Sequence, residues 1–494
     1  MPAILDSRPK TYKKPTIDDI DPVTNYIPAL VRDRVSQECI EMCSKLRKFV
    51  IYNCKPREEQ YLNSEPKSEE RERIIQELLE SKKDYDLIFF FDNDNDADYG
   101  NSACIDRLPK FNYLEYGILY QFVGKSILAS KVISFCGGNT YSKSINNMSA
   151  LELFLHYGDN NQKTEFAIPM INKKRDVEFF ISEKDVASSD ILNINTNCNL
   201  DFKTNKMIIN GKKWFIPDIL KLNGGNPNNN NNSGCYYAEA YWIILAVTEH
   251  DENNIYKKHS LVMVDTQNII DKLNDGKEIS ISRITTDDSC LFGDSCYYEV
   301  EFNNLEVPLC VLGGRGDGFH VLQEKSSLVK IYECMKLVGM GEEALQRANE
   351  RASQRKVYGS KLQKSEHFKF ELAKHKISLQ NCRLQLCNAA VKLQIEGFKA
   401  AKQEIAISKI VTPQTVCHVI DWAMQIFGCS SFTKNNPLWE MYNNARADRV
   451  NETPDEALLS QLGKNEILLM NKVLNLHIEE NSTRCTNGIG RKKR

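Results

Sequence analysis

The sequence predicts an α+β multi-domain chain, with an N-terminal helical domain, a central β domain and a C-terminal helical bundle. Three observations predict it. Residues 26–176 carry apolar side chains near helical spacing, residues 177–312 carry short β-branched and aromatic runs, and residues 318–480 return to long helical periodicity. With 494 residues, 41% of them hydrophobic, the chain is long enough for two or three buried cores.

Residues 1–25 mix Pro, Lys and Asp without an apolar face, so they read as a disordered N-terminus and not as a secretory signal. Val35 to Tyr52 and Arg71 to Leu87 read as helices. Asp92-Asn93-Asp94-Asn95-Asp96 imitates the start of a calcium loop, but Ala97 stands where such a loop needs Gly and Ala103 where it needs a bidentate Glu. A solvated loop is expected there. In the β region, Asn210-Gly211 separates two apolar runs and predicts a type I′ hairpin turn, because both residues tolerate positive φ. Further strands are expected over Tyr241 to Thr248, Ser260 to Val264 and Tyr297 to Phe302. Residues 223–234 hold five consecutive Asn with Gly, Pro and Ser, and are expected to form a disordered insertion.

Gly313 to Gly318 lacks the Lys-Ser/Thr of a phosphate loop and predicts a flexible connection. Beyond it, Leu328, Ile331, Met335, Val338 and Leu345 share one helical face, then Phe368, Leu372, Leu379 and Leu386, then Ile410, Val416, Ile420 and Phe427. Gly428 follows as the expected C-cap. Residues 481–494 read as a basic tail.

The 64 basic and 66 acidic residues nearly cancel, so no global field favours nucleic acid or an anionic membrane as partner. No apolar run reaches the roughly 18 to 20 residues of a membrane helix. Sixteen Cys without a C-x-x-C pair point to reduced intracellular thiols and to neither a disulfide framework nor a metal site. No organelle is indicated.

Several short segments stand in a fixed order. Leu151-Glu152-Leu153 with Tyr157-Gly158 comes first, then Ser182-Glu183-Lys184 through Ser188-Ser189-Asp190, then Asn210-Gly211-Lys212-Lys213-Trp214-Phe215-Ile216. Arg355 with Tyr358-Gly359 follows, then Gln425-Ile426-Phe427-Gly428-Cys429, and finally Glu452 ahead of Pro454-Asp455-Glu456. Together they resemble the acyl-CoA dehydrogenase family from about Leu151 to Lys464, closest to the branch of family members 10 and 11. The kinase-like domain of that branch's larger members is not expected, since too few residues precede Leu151.

The resemblance implies a central β-barrel and a C-terminal four-helix bundle around FAD. It implies flavin or FAD contacts for Ile181, Ser182, Ser188, Ser189, Trp214, Phe215, Arg355, Tyr358, Gln425, Gly428, Cys429, Pro454 and Glu456. Ser189, Lys330 and Asn451 fall at substrate positions, Lys330 replacing an Arg of several members. No metal is implied. Glu452 falls on the catalytic base, which removes the α-proton of an acyl-CoA thioester while the β-hydrogen leaves as hydride to flavin N5. Burial in a dry pocket is expected to raise its pKa toward the working pH. The electron acceptor is expected to be electron-transferring flavoprotein or oxygen, and the family's FAD sites imply a homodimer or a homotetramer. Departures are Pro217 for a Thr, Lys184 for a Pro, Cys429 for a Gly, Glu366 for a Gln and Thr453-Pro454 for Gly-Thr. These allow a non-catalytic flavoprotein scaffold as an alternative to the dehydrogenase, and acyl-CoA oxidase chemistry as another.

Overall fold

The computed structural model describes residues 16–66, 68–87, 110–135, 144–171, 175–217, 220–222, 235–237, 239–249, 254–284 and 296–489. The calcium-like run, the Asn-rich stretch 223–234 and residues 1–15 and 490–494 lie outside these.

Residues 16–25 were expected to be disordered, yet they are placed, through two short helical turns at Ile17–Ile20 and Val23–Tyr26. A buried guanidinium explains it. Arg47 donates to the carbonyls of Asp21 and Ile17, and Lys48 and Ser44 both reach Asp18. Arg47 lies on α1 (Gln37–Phe49), whose first turn is capped by the Ser36 hydroxyl accepting from the Cys39 amide at 3.1 Å. Helices α2 (Glu69–Lys83), α3 (Tyr113–Val123) and α4 (Ser144–Tyr157) follow. α3 is apolar almost all round and buried, as its position between other helices requires.

The sheet has strands β1 (Asp176–Phe180), β2 (Asn197–Asp201), β3 (Lys206–Pro217), β4 (Ala240–Val247), β5 (His259–Asp265), β6 (Ile279–Ile284), β7 (Tyr297–Pro308) and β8 (Val311–Leu312). Their order is β8-β5-β4-β2-β3-β7-β6, with β1 added parallel to β4. The expected hairpin at Asn210-Gly211 is absent. β3 runs through these residues as one strand between β2 and β7, with a register shift between Ile209 and Gly211. Gly211, at φ 134°, is needed for close approach instead of a turn, since a Cβ there would lie 2.6 Å from the Thr196 Cα. The Gly313–Gly318 connection is also packed and not loose. The Gly316 amide donates to the Ser260 hydroxyl at 2.9 Å, and a Cβ on Gly318 would meet the Ser260 backbone at 2.7 Å.

The C-terminal helices are α5 (Gly318–Gln354), α6 (Glu366–Glu396), α7 (Phe398–Phe427), α8 (Leu438–Ala447) and α9 (Asp455–Ile489). α7 ends at Gly428 in positive φ, as its sequence predicts. One apolar core joins α1, α3 and α4 to α5, α6 and α7, and a second fills the sheet interior around Trp242, Ile244 and Phe302. α5 is the spine. Its Gly339 faces α3 so closely that a Cβ would lie 1.8 Å from the Gln121 carbonyl oxygen. The buried Glu342 carboxylate on α5 joins this crossing to α6, meeting Lys125 just after α3 at 3.0 Å, the buried Arg383 of α6 at 2.6 Å and the exposed Lys376 of α6 at 2.8 Å. Burial alone would raise the Glu342 carboxyl, but these cations hold it far below the usual carboxylate range.

Candidate active site

Glu452 stands in the loop between α8 and α9, and the loop is fixed from both ends. The Asp455 carboxylate, at the first residue of α9, accepts from Arg449 at 2.8 Å and from Gln414 at 3.0 Å, and its amide donates to the Arg449 carbonyl. Glu452 itself has φ 59°, a left-handed conformation that a side-chain-bearing residue adopts at a cost of about 1–2 kcal/mol. This backbone turn aims the carboxylate at α5. There Lys325, only 2% exposed, donates from Nζ to Glu452 Oε1 at 2.6 Å, and the Ser326 hydroxyl adds a second bond.

The pKa expectation fails here. Burial does push the Glu452 carboxyl up, but Lys325, then Lys330, outweigh it and hold the group below its ordinary value. Glu452 is therefore ionised at neutral pH. Lys330, also on α5, is 8% exposed and has no hydrogen-bond or ion-pair partner among the described residues. Burial lowers it to about 8, against the opposing pull of Glu452. Lys325 was missed by sequence reasoning, because no spacing rule connects it to a loop 127 residues later.

The Lys325 ammonium also lies 4.6 Å above the Phe179 ring of β1, which ties the carboxylate to the sheet. Ile181 and Ser182 continue β1, and the Ser182 carbonyl accepts from the Trp214 amide at 2.9 Å. Trp214 and Phe215 are half-buried neighbours, with rings 5.1 Å apart and Phe215 stacked on Tyr297 at 4.2 Å. Thus Glu452, Ile181, Ser182, Trp214 and Phe215 are linked through Lys325 and β1. Ser188 and Ser189 are exposed on the turn beyond Glu183, and Asn451 and Glu456 are exposed beside the Glu452 loop. Pro454 is half-buried, its carbonyl closing the first turn of α9.

A second cluster lies at the end of α5. Arg355 Nη1 donates to the Ile426 carbonyl at 2.7 Å, and a Cβ on Gly428 would come within 3.5 Å of the same nitrogen. One turn earlier, Arg351 lies 5.8 Å from the Phe427 ring centroid with its Nε buried and, among the described residues, without a hydrogen-bond partner. Arg351 too went unnoticed in the sequence. Gln425 and Cys429 border this place and are exposed, whereas Tyr358 is wholly exposed at the tip of a two-residue-stranded hairpin. The structure of one chain gives Tyr358 no neighbour in either cluster.

A further buried carboxyl, Glu152 on α4, is lifted to about 7 by burial. Among the described residues, its Oε1 and the Tyr332 hydroxyl of α5 have no hydrogen-bond partner.

Residues 316–467, which hold both Lys325 and Glu452, match the family described as acyl-CoA dehydrogenase, C-terminal domain. The chain is a relative of the acyl-CoA dehydrogenases. Acyl-CoA dehydrogenase family member 11 of Gallus gallus is 28% identical over 464 residues, 90% of this chain and 52% of that protein. Family member 10 of Mus musculus is 26% identical over 402 residues, 80% of this chain and 33% of that one. The chain spans about half the length of the family member 11 proteins it matches. Among solved structures, butyryl-CoA dehydrogenase from Megasphaera elsdenii superposes with a TM-score of 0.65 at 19% identity, covering 88% of this chain and 99% of that one. The acyl-CoA dehydrogenase fold is therefore the fold of this chain, with helices around a central mixed sheet and a C-terminal helical bundle.

Proposed function

We propose that this acyl-CoA dehydrogenase relative is an FAD-dependent oxidoreductase that removes two hydrogens from Cα and Cβ of an acyl-CoA thioester, with Glu452 as the base. The observation that carries the reading is the half-buried, ionised carboxylate of Glu452, aimed by a left-handed loop residue at the α5 face that also touches β1. A carboxylate so held is ready to take a proton from carbon, and its low exposure keeps competing water away.

The residues present fit a flavin dinucleotide. Gly428 leaves open space where a side chain would meet Arg355, and Arg351 offers an unspent buried N–H beside it, a donor set suited to a pyrophosphate. Ile181, Ser182, Trp214 and Phe215 form one edge with backbone groups and aromatic surface suited to a planar ring system. Bound FAD would accept the β-hydride. In this reading the protein's own contribution is to hold Glu452 ionised, to orient it through Lys325 and to keep the unpaired Lys330 ammonium near the reacting carbons. Positive charge there favours the negative charge that develops on the thioester oxygen as the α-proton leaves.

Homo-oligomerisation belongs to the same proposal. The exposed Tyr358, and the exposed Phe370, Ile377 and Leu384 at seven-residue spacing on α6, are apolar surface that a second copy would cover. The electron acceptor is electron-transferring flavoprotein or oxygen, and the rate at which the reduced protein reoxidises in air separates them. One observation favours the scaffold reading: the candidate base is already paired with an ammonium at 2.6 Å, which lowers its basicity. The absorption spectrum of the purified protein, followed by anaerobic titration with butyryl-, octanoyl- and palmitoyl-CoA, tests the proposal. A flavin spectrum bleached by one of them is expected, and a colourless protein would overturn the cofactor assignment.

A further inference from the structure

We propose that the buried pair Lys213–Glu183 is a positioning device that sets the Trp214–Phe215 bend of β3 against the Ile181–Ser182 segment, and so shapes the edge assigned above to the flavin. The inference rests on that assignment for its ligand, but its geometry stands alone.

β3 does not hold Trp214 and Phe215 by its ladder. Its register with β7 breaks between Lys213 and Ile216, so these two residues sit in a bulge, and Phe215 has φ 64°. An aromatic residue keeps that backbone conformation only when its surroundings impose it. The surroundings here are polar and buried. Lys213, with no exposed side-chain surface, donates from Nζ to the Ile181 carbonyl and to Glu183 Oε1, both at 3.0 Å. The next residue along, Trp214, donates its amide to the Ser182 carbonyl. Lys213, the last ladder residue before the bulge, and Trp214, the first residue within it, are thus pinned to two successive residues after β1.

Glu183 anchors the other side. Its Oε1 also accepts from the Thr196 amide at 2.9 Å and from the Thr196 hydroxyl at 2.6 Å, while Oε2 accepts from the Asn195 amide at 2.7 Å. Thr196 is the residue against which Gly211 packs, so the carboxylate joins the approach to β2, β3 and the segment after β1. His259 of β5 lies nearby with both ring nitrogens buried and, among the described residues, unpartnered, and with its pKa lowered to about 4 by burial and by Lys258 and Lys213. It stays neutral and supplies no competing charge.

A buried ion pair is a poor route to stability, since apolar residues of equal volume often do as well or better. What this one supplies is a unique geometry, fixing a bulge that apolar packing would leave several ways to adopt. The pair therefore acts through Trp214 and Phe215, as positioning residues and not as catalytic ones.

The test uses the full-length protein with the substitutions Lys213→Met, Lys213→Arg and the double change Lys213→Met with Glu183→Leu. FAD affinity is measured by flavin fluorescence, and hydrogen exchange at the Trp214 and Ile208 amides by NMR. Lys213→Met is expected to weaken FAD binding at least tenfold and to speed exchange at Trp214 at least tenfold, with Ile208 unchanged and with Lys213→Arg restoring both within threefold. Should the single variant not fold, the double variant, which leaves no charge unpaired, carries the same two expectations. FAD affinity within twofold of wild type in a folded variant would overturn the inference, as would unchanged exchange at Trp214. If the wild-type protein binds no FAD, the flavin assignment fails by itself, and Trp214 exchange alone decides the positioning claim.

Discussion

Replacing Lys325 by Met removes the ammonium while keeping most of the stem that packs on Phe179. The wild-type pair spans 2.6 Å, with Lys325 at 2% and Glu452 at 17% side-chain exposure. Stripping one partner from a buried pair costs about 3–5 kcal/mol, and the lower end applies because Lys330 still attracts the carboxylate and Glu452 keeps some solvent. The expected loss is about 3 kcal/mol at pH 8, read from urea unfolding at constant pH. The sign of its pH dependence follows from the pair. Glu452 has a folded pKa below its ordinary value, so the pair's stabilisation is present above that ordinary value and is lost as pH falls through the folded one. The gap between wild type and variant therefore closes toward acid pH. In the variant, burial is opposed only by Lys330 and the Ser326 hydroxyl, so the carboxyl rises. The acid limb of kcat/KM moves to higher pH, and activity falls more at pH 6 than at pH 9. An acid limb in the same place, with a stability gap that does not change with pH, would refute the claim that Lys325 sets the ionisation of Glu452.

Two other outcomes follow from buried groups. Lys330→Met removes an ammonium whose pKa is lowered to about 8, so the wild-type protein should gain stability as pH rises from 8 toward the ordinary lysine value, and the variant should lose part of that gain in denaturant titrations. Gly339→Ala places a Cβ 1.8 Å from the Gln121 carbonyl oxygen, where only backbone can move, and should cost about 3 kcal/mol or more by the same measurement, with the α3–α5 crossing displaced in a crystal structure.

Local patterns carried the fold further than the site. The change from helical to strand texture near β1, the strands β4, β5 and β7, the long helices α5 to α7 and the Gly428 cap are all visible in residue spacing, because each is decided within one element. Asn210-Gly211 misled for the opposite reason. Its turn propensity is real, but pairing with β2 and β7 on both sides outweighs it, and the glycine serves close packing on Thr196. Residues 16–25 look featureless until Arg47 supplies donors for their carbonyls. At the site, the order of segments pointed to Glu452, to the Ser182–Trp214 edge and to the Arg355–Gly428 cluster. The partners that set their chemistry were invisible, since Lys325, Arg351 and the Lys213–Glu183 link depend on tertiary contacts between residues far apart in sequence.

The most direct measurement is anaerobic acyl-CoA titration of the flavin band in wild type beside Glu452→Gln, a change that keeps side-chain volume and removes the basic carboxylate. Wild type should bleach with at least one acyl-CoA, while the variant should bind flavin and fail to bleach by a factor of about a thousand or more in rate. Equal bleaching in both proteins would contradict the assignment of Glu452 as the base.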